Sequence, residues 1–133
     1  MLAREKASHV FSLQVAKHGG LIRTRTVAAA AAAADLRWSG GTMLYTSLGS
    51  AASAHVFATL GSAHHGCELF GPQLLVDDIV ESQMPIVDFE LQLPDGPGFG
   101  VDISLTQLNR FDRARQGLTA VHVDMAAHTP TPV

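Results

Sequence analysis

The segment Gly40-Gly41-Thr42-Met43-Leu44, which continues through Ser47-Leu48-Gly49 into Ala51-Ala52-Ser53-Ala54-His55, decides how this chain folds. We interpret it as the exit of one buried strand, a glycine-hinged loop and the start of an apolar helix. Two glycines let the backbone turn sharply and approach a ligand closely. Thr42 and Ser47 place hydroxyls just before the helix, where capping and anion binding occur. Loops at the carboxyl ends of parallel strands carry the active sites of α/β barrels.

The residues before and after this loop alternate between strand and helix patterns. Residues 10–15 are β-formers in alternation and predict a strand. The alanine-rich run 21–36 predicts a helix, because alanine has the highest helix propensity. A second strand is expected over residues 36–39 and a second helix over residues 47–60. This strand–helix–strand–helix order predicts a parallel α/β fold.

The second half of the chain has shorter elements separated by turn residues. A helix, two strands and a last helix are expected over residues 76–82, 87–93, 101–103 and 105–113. Ser104 and Gln107 have the spacing of a capping box that would open the last helix. Residues 116–133 end in the Thr/Pro-containing stretch Thr129–Val133 and are expected to be a disordered tail.

Composition narrows the functional classes. Of the 133 residues, 47% are apolar and 16% are charged, and the net charge is −3. These values are typical of a globular domain and do not indicate binding to nucleic acid or to a membrane. The chain has a single cysteine, Cys67, which cannot form an internal disulfide and favours a reducing, cytoplasmic location.

Three well-separated motifs resemble the C-terminal end of muconate cycloisomerases, in the mandelate racemase and muconate lactonizing branch of the enolase superfamily. They are residues 40–55, residues 68–72 and residues 88–100, in the family's order. The resemblance implies the last two β/α units of a (β/α)7β-type TIM barrel in residues 1–115. It also implies a strand and helix extension that packs on a capping domain absent from this chain.

The same resemblance implies an activity. Muconate and chloromuconate cycloisomerases lactonise a small dicarboxylate, cis,cis-muconate or its chlorinated form, in the breakdown of aromatic compounds. They use a lysine as acid/base and a divalent metal, Mg²⁺ or Mn²⁺, that stabilises an enolate-type intermediate. Family members are homo-oligomers. The resemblance places the three carboxylates that bind the metal on strands before this segment, so this chain is expected to lack the metal ligands.

Ser12 and Gln14 share one face of the first predicted strand and are candidates to face a barrel interior. The alternative is that both are exposed on an edge strand. The family's strand usually reads Ser-Leu-Lys-x-Ala-Lys-x-Gly-Gly, whereas this chain has Gln14 at the acid/base lysine. A glutamine side chain does not transfer protons to or from carbon. Lys17 matches a family lysine that is not the usual acid/base.

The glycine loop also departs from the resembled pattern, since Tyr45 stands where an acidic residue is usual. Tyrosine can hydrogen-bond but is a poor base at its ordinary pKa. We expect Thr42 and Tyr45 to face the substrate pocket beside Ser12 and Gln14, and Met43 and Leu44 to be packed.

The other candidate groups have structural interpretations. Asp35, Glu68, Asp77 and Asp78 have no spacing typical of metal ligands and are interpreted as solvated or capping acids. Leu69 and Phe70 are expected to plug the barrel bottom or a domain seam, and Trp38 and the phenylalanines to form core.

Two further functions stay open from the residues alone. One is a catalytically inactive truncated remnant or an interaction module. The other is a different enolase-superfamily isomerase, such as a dipeptide epimerase, against which the Gly-Gly-Thr-Met loop argues.

Overall fold

The computed structural model describes residues 5, 7–61 and 63–112. Its main sheet has three parallel strands in the order β1 (Val10–Leu13), β2 (Arg37–Gly41) and β3 (Cys67–Glu68). Between them lie α1 (Val15–His18), α2 (Leu21–Ala33) and α3 (Ser47–Ala58). This arrangement confirms the predicted parallel α/β fold. The predicted tail over residues 116–133 lies outside the described residues.

The first half of the chain differs from prediction mainly at its boundaries. β1 ends at Leu13, because Val15 already begins the one-turn helix α1. β2 continues to Gly41, two residues beyond the expected end. The third strand, β3, was not predicted, since two residues are too few to show an alternating pattern.

The second half is made of α4 (Gly71–Leu74), β4 (Ile86–Val87), β5 (Glu90–Leu91) and α5 (Leu105–Phe111). The predicted single strand over residues 87–93 is wrong, because the chain reverses at Asp88 and Phe89 to form an antiparallel hairpin. Both turn residues have positive φ, 50° and 65°, as a two-residue hairpin turn requires. Phe89 is fully exposed at the hairpin tip, so not every phenylalanine is core.

Three smaller predictions in this half also fail. Residues 76–82 are irregular instead of helical, and Val80 pairs with Ile103 in an isolated bridge, the only ladder contact of the expected strand over residues 101–103. Ser104 is the N-cap of α5 but makes no side-chain capping bond, so the capping box does not form. Leu69 and Phe70 are half-buried and line a cavity of about 550 Å³ between α3 and the hairpin, so their place at a barrel bottom or a domain seam stays a prediction.

The core lies between the sheet and the helices that cover one of its faces. It is formed by Leu13, Ala28, Trp38, Val56 and Phe57. The Trp38 and Phe57 rings pack with centroids 5.8 Å apart, which confirms the core position of Trp38. Gly40 makes this packing possible, because a Cβ there would lie 2.7 Å from the Phe57 ring. Phe57 therefore packs directly on the backbone of β2.

A buried carboxylate joins the two halves of the chain. Asp78 is only 7% exposed, and its Oδ2 accepts the Ser47 N–H at 2.8 Å while its Oδ1 accepts the Ile79 N–H at 2.7 Å. Thr46, the N-cap of α3, makes no side-chain capping bond. Asp78 thus caps α3 from 31 residues away, where the helix dipole favours a negative charge. Of the two interpretations of this acid, the capping one is confirmed.

We predict that Asp78→Ala lowers the free energy of unfolding by about 2 kcal/mol, because two N–H groups lose their acceptor and the α3 terminus loses its counter-charge. Denaturant unfolding of the full chain measures this. Asp95→Ala, at an exposed acid in a turn, is the matched control and should change stability by less than about 0.5 kcal/mol. Equal effects of the two variants would contradict the capping role.

Candidate functional site

The sheet has a polar face opposite the helices, and its carboxyl edge is the candidate site. Leu13 pairs with Gly40, so the next residue, Gln14, lies level with Gly41, which pairs with Glu68. Because residues in register on parallel strands point to the same side, these three form a transverse row on the face away from the core. Ser12 and Ser39 pair one layer below on the same face.

Gly41 is the gap in this row, and two polar side chains flank it. A Cβ on Gly41 would lie 3.3 Å from the Ser12 Oγ and 3.4 Å from the Gln14 Nε2. The structure therefore brings Ser12 and Gln14 together, on the shared face that the alternation predicted. Their part in substrate binding stays a prediction.

Gln14 is held at the junction of strand and helix. It is the N-cap of α1 and keeps extended backbone angles, φ −136° and ψ 118°. Its own N–H is directed at the Nδ1 of His18, 3.3 Å away. The Gln14 Oε1 is buried and has no hydrogen-bond partner among the described residues. An unpaired buried acceptor is costly, while the other end of the amide, the Nε2 donor, faces the gap at Gly41.

Thr42 is buried rather than open to a pocket. It is 3% exposed, and its hydroxyl and its N–H both donate to the Glu68 carbonyl oxygen at 3.1 Å. These bonds tie the loop to β3, which gives the hydroxyl a structural partner. Met43 and Leu44, expected to be packed, are instead 60% and 59% exposed. The expected packing of Met43 and Leu44 is therefore wrong, and a part for Thr42 in substrate binding stays a prediction.

Tyr45 packs on the first turn of α3. Its Cδ2 lies 3.3 Å from the position of a Cβ on Gly49, and its backbone is in contact with Gly71. The described contacts do not bring it to Ser12 or Gln14. The structure thus assembles two of the three side chains expected to converge, and a role for Tyr45 stays a prediction.

The functional candidate that sequence reasoning missed is Glu68. The sequence predicts a solvated or capping acid, whereas the register of β3 places Glu68 in the row with Gln14 at the carboxyl edge of the sheet. No local signal marks its strand, because β3 has only two residues. In the sequence, Glu68 is marked only by its place directly before an apolar pair and Gly71-Pro72.

On its opposite face, β3 carries the free cysteine of the chain, Cys67. Burial raises the pKa of the Cys67 thiol, while a backbone hydrogen bond from Gly40 opposes the shift. A thiol with a raised pKa is a weaker nucleophile at neutral pH, and Cys67 lies on the core side, against Gly40. Within residues 5, 7–61 and 63–112 no group of three or more His, Cys, Asp or Glu could hold a metal ion.

Comparison with known proteins identifies this arrangement. Residues 1–107 match the family described as enolase C-terminal domain-like. A chloromuconate cycloisomerase from Pseudomonas putida is 47% identical over 85% of this chain and 30% of its own length. Muconate cycloisomerase 1 from the same species is 43% identical over 84% of this chain and 30% of its own length. The chain therefore spans about a third of these curated relatives.

Solved structures agree with this result. The muconate lactonizing enzyme from Pseudomonas putida superposes with a TM-score of 0.80 at 43% identity, covering 83% of this chain and 31% of that one. The muconate lactonizing enzyme from Pseudomonas fluorescens, solved in complex with muconolactone, gives 0.80 at 44% identity, covering 83% and 30%.

We predict that alanine substitutions at the two adjacent glycines of β2 have different effects, one on the packing of the core and the other on the candidate site. Gly40→Ala should lower the free energy of unfolding by about 1–3 kcal/mol, because the new methyl overlaps the Phe57 ring. Gly41→Ala should cost less than about 1 kcal/mol, yet shift the NMR signals of the Gln14 side-chain amide, because its methyl enters the polar gap. Equal destabilisation by both would show that the faces are assigned wrongly.

Proposed function

Because the chain belongs to the enolase C-terminal domain-like family, we propose that it is the C-terminal part of a muconate or chloromuconate cycloisomerase. The reaction is the lactonisation of cis,cis-muconate, or of a chlorinated muconate, through an enolate-type intermediate in aromatic-compound catabolism. The observation that carries the proposal is the row of Gln14, Gly41 and Glu68, with Ser12 below it, at the carboxyl edge of the sheet. This is the edge at which α/β barrels place their active sites.

The groups in the row suit binding better than proton transfer. The Ser12 hydroxyl and the Gln14 amide are uncharged donors that can hydrogen-bond a substrate carboxylate. Gln14 occupies the position of the family's acid/base lysine, but its amide neither takes up nor releases a proton near neutral pH. We assign Ser12 and Gln14 to holding and orienting the substrate, with Thr42 and Tyr45 as candidates in the neighbouring loop.

A divalent metal is part of the proposed reaction in the complete protein. The described row offers one carboxylate, Glu68, together with a hydroxyl and an amide, whereas Mg²⁺ and Mn²⁺ favour several oxygen ligands. These residues do not fit a metal site. Under the proposal the metal ligands belong to the part of the protein beyond this third.

The setting of the proposed enzyme follows from the same chemistry. Its partner is a small dicarboxylate, and identical subunits would assemble as in the resembled family. We place it in the cytoplasm, where the free thiol of Cys67 would stay reduced. None of the described helices is both long and apolar enough to cross a bilayer.

The alternatives are less well supported. The matched proteins are named muconate and chloromuconate cycloisomerases, which favours this chemistry over dipeptide epimerisation. The activity of a fusion protein that supplies the rest of the barrel distinguishes an enzyme from an inactive remnant or an interaction module.

We predict that Gln14→Lys restores proton transfer when the rest of the barrel is supplied. The chain would be fused to the N-terminal two-thirds of the Pseudomonas putida chloromuconate cycloisomerase, and lactonisation of cis,cis-muconate and of 3-chloromuconate followed by ultraviolet absorbance. Gln14→Lys should raise kcat about 10²-fold or more, because a positioned acid/base contributes that much.

Lys17→Ala is the matched control. Lys17 lies in α1, past the end of β1, and is exposed, so its loss should change kcat less than about threefold. Equal effects at the two positions would show that Gln14 does not face the substrate. A fusion that folds and binds product but stays inactive with Lys at position 14 would favour the inactive remnant.

A second prediction concerns metal affinity. The chain alone should show no saturable binding of Mg²⁺ or Mn²⁺ in calorimetric titration, because its described carboxylates are not clustered. The fusion with Gln14→Lys, titrated under the same conditions, is the positive control. A one-to-one isotherm in the micromolar range for the chain alone would contradict the assignment of the metal ligands.

A further inference from the structure

The candidate site contains a histidine that the proposed reaction does not use. The N–H of Gln14 is directed at the Nδ1 of His18 at 3.3 Å, and the N–H of His18 donates to the Gln14 carbonyl oxygen at 3.1 Å. The two residues therefore bond to each other in both directions across α1. The second bond is the ordinary helical bond to the carbonyl four residues earlier, and the first resembles the half of a capping box in which a Glu or Gln side chain accepts the N-cap N–H.

Apart from the Gln14–His18 pair, few of the described hydrogen bonds hold α1 in place. α1 has four residues, and a helix of one turn is not stable by itself. Its far end is closed by Gly19 in the left-handed region, φ 78°, whose N–H bonds to Ala16, and by the Gly20 N–H bond to Val15. At the start of α1, the Nδ1 of His18 is the acceptor of the Gln14 N–H.

The bond fixes the protonation state of the ring. To accept a hydrogen bond, Nδ1 must carry a lone pair, so the neutral ring holds its proton on Nε2. A doubly protonated imidazolium has N–H groups at both nitrogens and cannot accept. The bond to Gln14 therefore exists only while His18 is neutral.

We propose that His18 is a positioning residue: its neutral imidazole holds the Gln14 backbone in the turn that presents the Gln14 side chain beside Ser12 and Gly41. Protonation of His18 removes the acceptor and releases this turn. The hydrogen bond stands on the structure alone, whereas its importance for substrate binding rests on the proposed function. The resembled strand motif specifies no residue type at position 18.

The charged side chains on the elements around His18 are basic. α1 carries Lys17, and α2, which packs against α1, carries Arg23 and Arg25. The Arg23 guanidinium lies near Gly19, 3.4 Å from the position of a Cβ there. Lysine and arginine stay protonated between pH 5 and 8, where histidine changes charge. Glu68 lies in the same row as Gln14, so the His18 variants are needed to assign a change at Gln14 in this range to His18.

The test is a pH titration of the ¹⁵N-labelled full chain by NMR, from pH 8 to pH 5. The His18 ring should show the Nε2–H form at high pH. The backbone amide of Gln14 and its side-chain amide should both shift with the same midpoint as the His18 ring. A Gln14 amide that does not follow the His18 transition would overturn the proposal.

Variants separate positioning from general stability. His18→Leu should remove the pH response of Gln14 and speed exchange of its amide hydrogen about fivefold, the factor for a hydrogen bond of about 1 kcal/mol. His18→Asn, which keeps an uncharged acceptor, should restore protection without pH dependence. His55→Gln is the control, because His55 bonds to the Phe99 carbonyl oxygen instead, and the Gln14 response should persist in it. A response that survives in His18→Leu would overturn the proposal.

Two further outcomes are decisive. If His18→Leu does not fold, the wild-type titration and His18→Asn still decide, since both report on the Gln14 amide directly. A fusion protein that carries Gln14→Lys, folds and stays inactive would refute the proposed function, whereas a shared His18–Gln14 titration in the unfused chain would still support the positioning role.

Discussion

The contact on which the rest of the structure depends is the buried Asp78 carboxylate at the start of α3. An isolated charge in a protein interior is very unfavourable, but here two backbone N–H groups and the positive end of a helix compensate it. This bond fixes where α3 begins relative to the irregular segment after α4. The position of α3 then sets the depth of Phe57, and Phe57 closes the core by packing on the bare backbone of Gly40.

The sheet has two chemically distinct faces that derive from one alternation. Leu13, Trp38 and Gly40 point toward the helices and exclude water. Ser12, Gln14 and Glu68 point the other way. Because the side-chain period of a strand is two, a shift of register by one residue would exchange these faces. The two glycines of β2 lie on opposite faces. Gly40 leaves room for the Phe57 ring on the core face, and Gly41 leaves the gap between Ser12 and Gln14 on the polar face.

The parts of this fold that the sequence predicted are those with strong local signals. The alanine run of α2 and the alternation of β1 carry propensity over many residues, and the structure has both elements. The failures are short or depend on distant contacts. β3 has two residues, the hairpin turn places Asp88 at positive φ without a glycine, and residues 76–82 stay irregular where Asp78 binds α3. In the site, the alternation predicted the shared face of Ser12 and Gln14, but only the register of β3 reveals Glu68.

The order of the main sheet has a consequence for how the chain folds. Its strands are neighbours in space in the same sequence as along the chain, β1 beside β2 and β2 beside β3. Each strand therefore pairs with the strand that precedes it in the chain, and the connection between the two runs through one layer of helices. Each parallel pairing nevertheless joins residues 27 apart in the chain, as Val10 with Arg37 and Gly40 with Cys67. The chain between them loses its entropy before the pairing stabilises it, so such sheets form slowly. Until β2 and β3 are in place, the edge of the preceding strand stays open to other partners.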